Sequence, residues 1–144
     1  MARPRTTPRR PASLVPRNWI VTYNARPWTT NAERRMHYMT RAHHVAEWRQ
    51  AFAVLARSAH LPKLDRARVI VCPIQARGRL ADHGAYWPPA KAAIDGLVDA
   101  HVLEDDDLLH VVEVVWRAPT RGPWALKLIV EEVVGDDPGR EYAA

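Results

Sequence analysis

At 144 residues the chain is sized for one domain, and its 47% apolar content is enough for a packed core and too high for a disordered chain. No apolar run approaches the roughly 20 residues of a membrane span, and the basic N-terminus is not followed by a signal-peptide core. The single cysteine, Cys72, excludes an internal disulfide and a cysteine-rich zinc site, which points to a reducing cytoplasm.

The net charge of +5 conceals a split: residues 1–80 hold 16 Lys/Arg against 3 Asp/Glu, and residues 81–144 hold 5 against 13. A basic face around an acidic patch suits a metal-dependent enzyme acting on a polyanion; ordinary solubility with an Arg-rich tail is the plain alternative.

Residues 1–17, "MARPRTTPRRPASLVPR", have no periodicity and read as a disordered basic arm. "NWIVTY", Asn18 to Tyr23, is a strand by composition, and "NARPWTTNAERR" a loop. From about Met39 to Ala59, Ala42, Val45, Trp48, Phe52, Leu55, Ala56 and Ala59 recur at helical spacing. "ARVIVCPI", Ala67 to Ile74, is a second strand, and Pro73 places it near an edge or its own end.

"QARGRLADHGAYW" is a loop, and Pro88 and Pro89 then suit the first turn of a helix running to about Ala100. After "EDDD", "LLHVVEVVW" reads as a buried strand. "APTRGP" is a turn, and "WALKLIVEEVV" a final strand antiparallel to the one before. Residues 135–144 form a polar tail, leaving 18–134 as one domain. The order β-α-β-α-β-β predicts an α+β fold, a mixed sheet flanked by two main helices.

Three elements could carry chemistry. Lys91, Asp95 and Asp99 share one side of the second helix, where a solvated stripe is the plain alternative. Glu104 to Asp107 are adjacent acids that repel, so they need open solvent or a divalent cation; magnesium uses a few carboxylates plus water and phosphate oxygens. Asp82 precedes the Pro-Pro helix start and is either an ordinary loop aspartate or a third ligand converging on that run. The seven histidines form no metal-binding pattern, and no nucleophile elbow, phosphate loop or dinucleotide fingerprint is present.

"KAAIDGLVDAHVLEDD", Lys91 to Asp106, resembles the central motif of the RusA-type Holliday junction resolvases, small homodimeric endonucleases of bacteria and prophages. The family motif has a lysine, an aspartate four residues on, a Leu-rich helix and a terminal Asp-Asp pair, matched by Lys91, Asp95, Asp105 and Asp106 without a gap. "RPWTTNAERR" resembles the family's Pro- and Asn-containing loop. The resemblance covers most of 18–134 and is specific over about 90–112. It departs before the lysine, where many members have two aspartates and an asparagine and this chain has only Asp82.

The resemblance implies a homodimer that cuts phosphodiesters in branched DNA, four-way junctions above all, in recombination and repair. It implies Mg²⁺, with Mn²⁺ as a substitute, held by Asp82, Asp105 and Asp106; one ion or two stays open. Lys91 would neutralise a phosphate oxygen or orient water, and Asp95 would position Lys91 or lie behind the ligands. Arg34, Arg35, Arg77 and Arg79, with Lys91, are candidates for holding the DNA backbone. The competing readings are a non-catalytic nucleic-acid-binding protein, and a nuclease acting on flaps or other branched DNA.

Overall fold

A computed structural model of the chain describes residues 16–135. The basic arm therefore lies outside the described residues apart from Pro16 and Arg17, and the tail apart from Gly135. The elements are β1 (Asn18–Tyr23), α1 (Thr30–Glu33), α2 (Tyr38–Ser58), β2 (Ala67–Gln75), α3 (Trp87–Asp99), β3 (Val111–Trp116), β4 (Thr120–Arg121) and β5 (Ala125–Glu132). This is an α+β fold with a mixed five-stranded sheet. The expected order is present, with α1 and β4 as short additions inside two segments read as loops.

The sheet runs β1-β5-β2-β3, and β4 pairs with β2. β5 is antiparallel to both β1 and β2, whereas β3 is parallel to β2. The expected hairpin between β3 and β5 is therefore not formed: β2 lies between them. The physical reason is the crossover. A parallel pair needs a connection of a dozen or more residues, and α3 supplies it between β2 and β3. The chain from β3 then rounds the end of β2, where the Gly122 N–H donates to Gln75 O, before pairing on the other side.

Pro73 lies near the end of its own strand, the second of the two expected places, and that strand is a central one and not an edge. It faces Leu126 of β5, and on β2's other side it falls between the residues paired with β3 and those paired with β4. Nor is β3 buried: only Val111 is fully covered, and Leu108 and Leu109 are exposed ahead of it.

One face of the sheet carries Val21, Val69, Val71, Leu126, Leu128 and Val130, all buried in one core with Trp48, Phe52 and Ala56 of α2 and Ala90, Ala93, Ile94 and Leu97 of α3. Burial of each large apolar side chain contributes about 1.5–3 kcal/mol. The predicted stripe on α2 holds at its centre, while Ala42 and Ala59 are exposed.

Helix α3 is buried around most of its circumference, against the sheet and against α2. Gly96 makes the close approach to α2 possible: a Cβ there would stand 2.5 Å from Arg49 O and 3.0 Å from Phe52 Cβ. Beside that contact, Arg49 Nε and Nη2 donate to both oxygens of Asp99, at 2.5 and 2.8 Å, and Arg57 donates to the Asp99 carbonyl. Asp99 thus ties α3 to α2 instead of joining the stripe with Lys91 and Asp95.

Candidate active site and basic cleft

The site begins with how α3 starts and stops. Pro88 and Pro89 occupy its first turn, where a missing N–H leaves no bond unmade. At the other end His101 takes a left-handed φ of 61°. The His101 N–H then donates to Val98 O and the Val102 N–H to Leu97 O, the paired bonds of a Schellman motif. The motif reverses the chain, buries Val102 and Leu103, and leaves Glu104 to Asp107 at the surface.

That reversal brings the acidic run back to the helix. Lys91 Nζ donates to Asp95 Oδ1 at 2.5 Å, one turn along α3, and to Asp106 Oδ2 at 2.5 Å, from the returning segment. The Asp106 N–H in turn donates to Asp105 Oδ1 at 2.8 Å. Lys91, Asp95, Asp105 and Asp106 therefore form one cluster, with Lys91 and Asp106 about two-fifths and one-third exposed.

The charges set the protonation of the cluster. The Lys91 hydrogen bond, first of all, holds the Asp106 carboxyl below the usual carboxylate range; burial opposes this, and Asp105 and Asp95 also lower it. Burial works to lower Lys91, but the hydrogen bonds to Asp106 and Asp95 outweigh it and raise the ammonium above its usual value. Lys91 is thus a firmly charged cation between carboxylates.

The other two acids of the run have different places. Asp107 caps its own turn: Oδ1 accepts from the Leu109 and His110 N–H groups at 3.0 and 3.2 Å and lies 2.6 Å from His110 Nδ1. Glu104 is exposed, 3.9 Å from His110 Nε2. Both are explained by the turn.

Asp82 is exposed in the loop before α3, and no hydrogen bond or ion pair links its side chain to the cluster among the described residues. It lines a cleft of about 510 Å³ with Thr29, Thr30, Asn31 and Arg79. Thr29 caps α1 by accepting the Ala32 N–H, and the Thr30 N–H donates to Ala85 O, so the "RPWTTNAERR" segment is held against the Asp82 loop.

Among the described residues no three His, Cys, Asp or Glu side chains are grouped to hold a metal. The donor chemistry of the pair still fits magnesium, which is bound through one or two carboxylates with water and phosphate oxygens completing the shell. Asp105 and Asp106 each engage one carboxylate oxygen in the hydrogen bonds above.

Arg77 and Arg79 line a second cleft of about 490 Å³, which shares Thr29, Arg79 and Ala81 with the first. Arg34 and Arg35 are exposed just past α1 and do not line it. Three contributors were not legible as site residues in the sequence. Arg26 lies 4.4 Å from the Trp124 ring, and both line the cleft. Gln75, 4% exposed at the end of β2, donates from Nε2 to Arg79 O and accepts the Ala81 N–H at Oε1, which shapes the arginine loop from within. A glutamine closing an apolar strand was the only available signal. The loop is also held from outside, where Arg121 Nη2 donates to Gly78 O at 2.5 Å.

Compared with known proteins, the chain matches no family model and no curated sequence. The likeness to the junction resolvases rests on the motif residues alone.

Proposed function

We propose that the protein is a magnesium-dependent, structure-selective DNA endonuclease of the Holliday junction resolvase type, acting as a homodimer in recombination and repair. The observation that carries this reading is Lys91 held between Asp95 and Asp106, beside Asp105, on the partly open side of an otherwise buried helix. A purely structural ion pair would need one carboxylate; two on one ammonium, with a third adjacent, concentrate negative charge where a cation and a phosphate can meet.

Asp105 and Asp106 would hold Mg²⁺, with Asp82 reaching in from its loop, and Mn²⁺ would substitute. The ion supplies a water of lowered pKa and charge stabilisation at the scissile phosphate. Lys91 neutralises a phosphate oxygen or orients the attacking water, and Asp95 positions Lys91. Arg77 and Arg79 line the cleft that leads to Asp82 and hold the DNA backbone, and Arg34 and Arg35 extend the basic surface. Two-fold symmetry in a dimer would present two such sites to two strands.

A second reading has its own support. The Asp106 carboxylate is already paired with Lys91, and no three-ligand group is present among the described residues, as in a non-catalytic protein that binds nucleic acid through its arginines. Incubating the protein and its Asp106→Asn variant with a synthetic four-way junction separates the two. The nuclease reading expects nicking with Mg²⁺ or Mn²⁺ that the variant loses; binding without nicking under either metal leaves the second. Flap and fork substrates in the same gel test selectivity, and equal cleavage of all branched and linear DNA removes it.

A further inference from the structure

The cleft behind Asp82 has a composition that phosphate contact alone does not require. Three arginines line it, Arg26, Arg77 and Arg79, with no carboxylate among its lining residues. Backbone contacts to duplex DNA call for such charges on an open surface. Here the charges stand around a recess of about 490 Å³, within the roughly 300–1,000 Å³ of small-ligand sites.

The recess also has aromatic surfaces. Trp124 is half-buried, with the Arg26 guanidinium 4.4 Å from its ring. His44 stacks on Trp28 at 5.5 Å and 27°, and both line the cleft. Arginine over tryptophan presents a flat cationic surface, and flat π-faces beside backbone-binding cations are how proteins hold single-stranded nucleic acid.

The walls are fixed before any ligand arrives. Gln75 and Arg121 hold the loop carrying Arg77 and Arg79, and Gly78 makes its turn at a φ of 81°. A prearranged recess loses less freedom on binding than a mobile loop does.

We propose that this cleft binds an unpaired nucleotide of DNA, its base stacked on the Arg26–Trp124 surface and its phosphate held by Arg77 and Arg79. The inference deepens the nuclease reading and rests on it for the source of the strand: a branch point is where a base can leave its stack. A paired duplex would satisfy the arginines and leave the aromatic recess empty.

The test uses the full chain in EDTA, so that binding is read without cleavage. Fluorescence anisotropy compares an octamer of deoxythymidine with an abasic octamer of the same backbone and with a blunt duplex. The expected result is about tenfold tighter binding of the thymidine octamer than of the abasic one, a size typical of one stacked base. Trp124→Ala should erase that difference, and the Arg77→Ala/Arg79→Ala double variant should weaken both strands. Should Trp124→Ala fail to fold, Trp124→Leu, which keeps bulk without the π-face, replaces it. Equal affinity for the abasic strand, or a preference that survives loss of the tryptophan ring, overturns the proposal. Tighter binding of a uridine octamer overturns its assignment to DNA. A protein that nicks junctions yet shows no base preference sinks this inference alone, and one that shows the preference yet never nicks sinks only the nuclease reading.

Discussion

Lys91 Nζ stands 2.5 Å from Asp106 Oδ2 although fifteen residues separate them in the chain. The contact exists because a Schellman turn at His101 folds the acidic run back beside the helix that carries the lysine. Removing the lysine should separate chemistry from stability. Both partners are partly exposed, so Lys91→Ala should cost no more than about 1 kcal/mol of unfolding free energy. On the proposed reading it should lower junction nicking by about a hundredfold, the scale of losing one contact to developing charge. A variant that cuts at the wild-type rate would remove Lys91 from the chemistry.

The same contact predicts a pH dependence. Asp106 has its folded pKa lowered, so its contribution is present above the unfolded value of about 3.9 and is lost as pH falls through the folded value. Lys91 has its folded pKa raised, so its share is present below about 10.4 and is lost as pH rises through the folded value. Thermal melts should show the Lys91→Ala variant losing less stability than wild type as pH is lowered from 5 to 2 (about the carboxylate range). Parallel curves for the two proteins would mean that the pair does not form in solution.

Gly96→Ala tests the helix contact. Alanine favours a helix by about 1 kcal/mol over glycine, so an open site would be stabilised. Here the new Cβ meets Arg49 O at 2.5 Å, and backbone cannot swing aside as a side chain can. Urea unfolding should show a net loss of about 1–3 kcal/mol, the range for overpacking. A gain in stability would show that α2 and α3 sit further apart than described.

His101→Gly should act in the opposite direction. Its φ of 61° costs an L-residue about 1 kcal/mol that glycine does not incur. The side chain is exposed, so little is lost with it. A rise of about 0.5–1 kcal/mol in unfolding free energy is expected, and a fall would mean that the imidazole holds something beyond the turn.

Gln75→Ala leaves the Arg79 carbonyl and the Ala81 N–H without their partner. Stability should drop by about 0.5–1.5 kcal/mol, the net contribution of a hydrogen bond whose freed partners can turn to water. Amide exchange at Ala81 should accelerate, whereas exchange in α3 should not. Unchanged exchange at Ala81 would show that the loop keeps its shape by other means.

Local pattern made the helices and the longer strands legible. Tyr38–Ser58 and Trp87–Asp99 differ from expectation by about a residue at either end, because apolar spacing and the two prolines are local signals. Strand pairing was less accessible. Two apolar runs joined by a Pro-Gly turn look like a hairpin, yet β5 pairs with β2, which is buried on both faces and paired along both edges. Pro73 left an edge and a strand end both open, and it marks the end: a central strand tolerates proline where neighbours on one side change from β3 to β4. At the site, spacing alone could join Lys91 to Asp95, but only the motif's resemblance joined Lys91 to Asp106. The arginine recess was invisible because Arg26, Arg77 and Trp124 lie on three separate loops.

The close packing of α3 has a consequence for anyone mapping this protein by mutation. Pro89, Ala90, Ala92, Ala93, Ile94, Gly96 and Leu97 are all buried, and most are small. Random replacement along the helix will therefore produce inactive proteins at most positions simply by preventing assembly of the core. Lys91 and Asp95 are partly exposed between those buried neighbours and can be exchanged with the scaffold intact, so a screen that scores activity without measuring the amount of folded protein would draw the candidate active site several times too large.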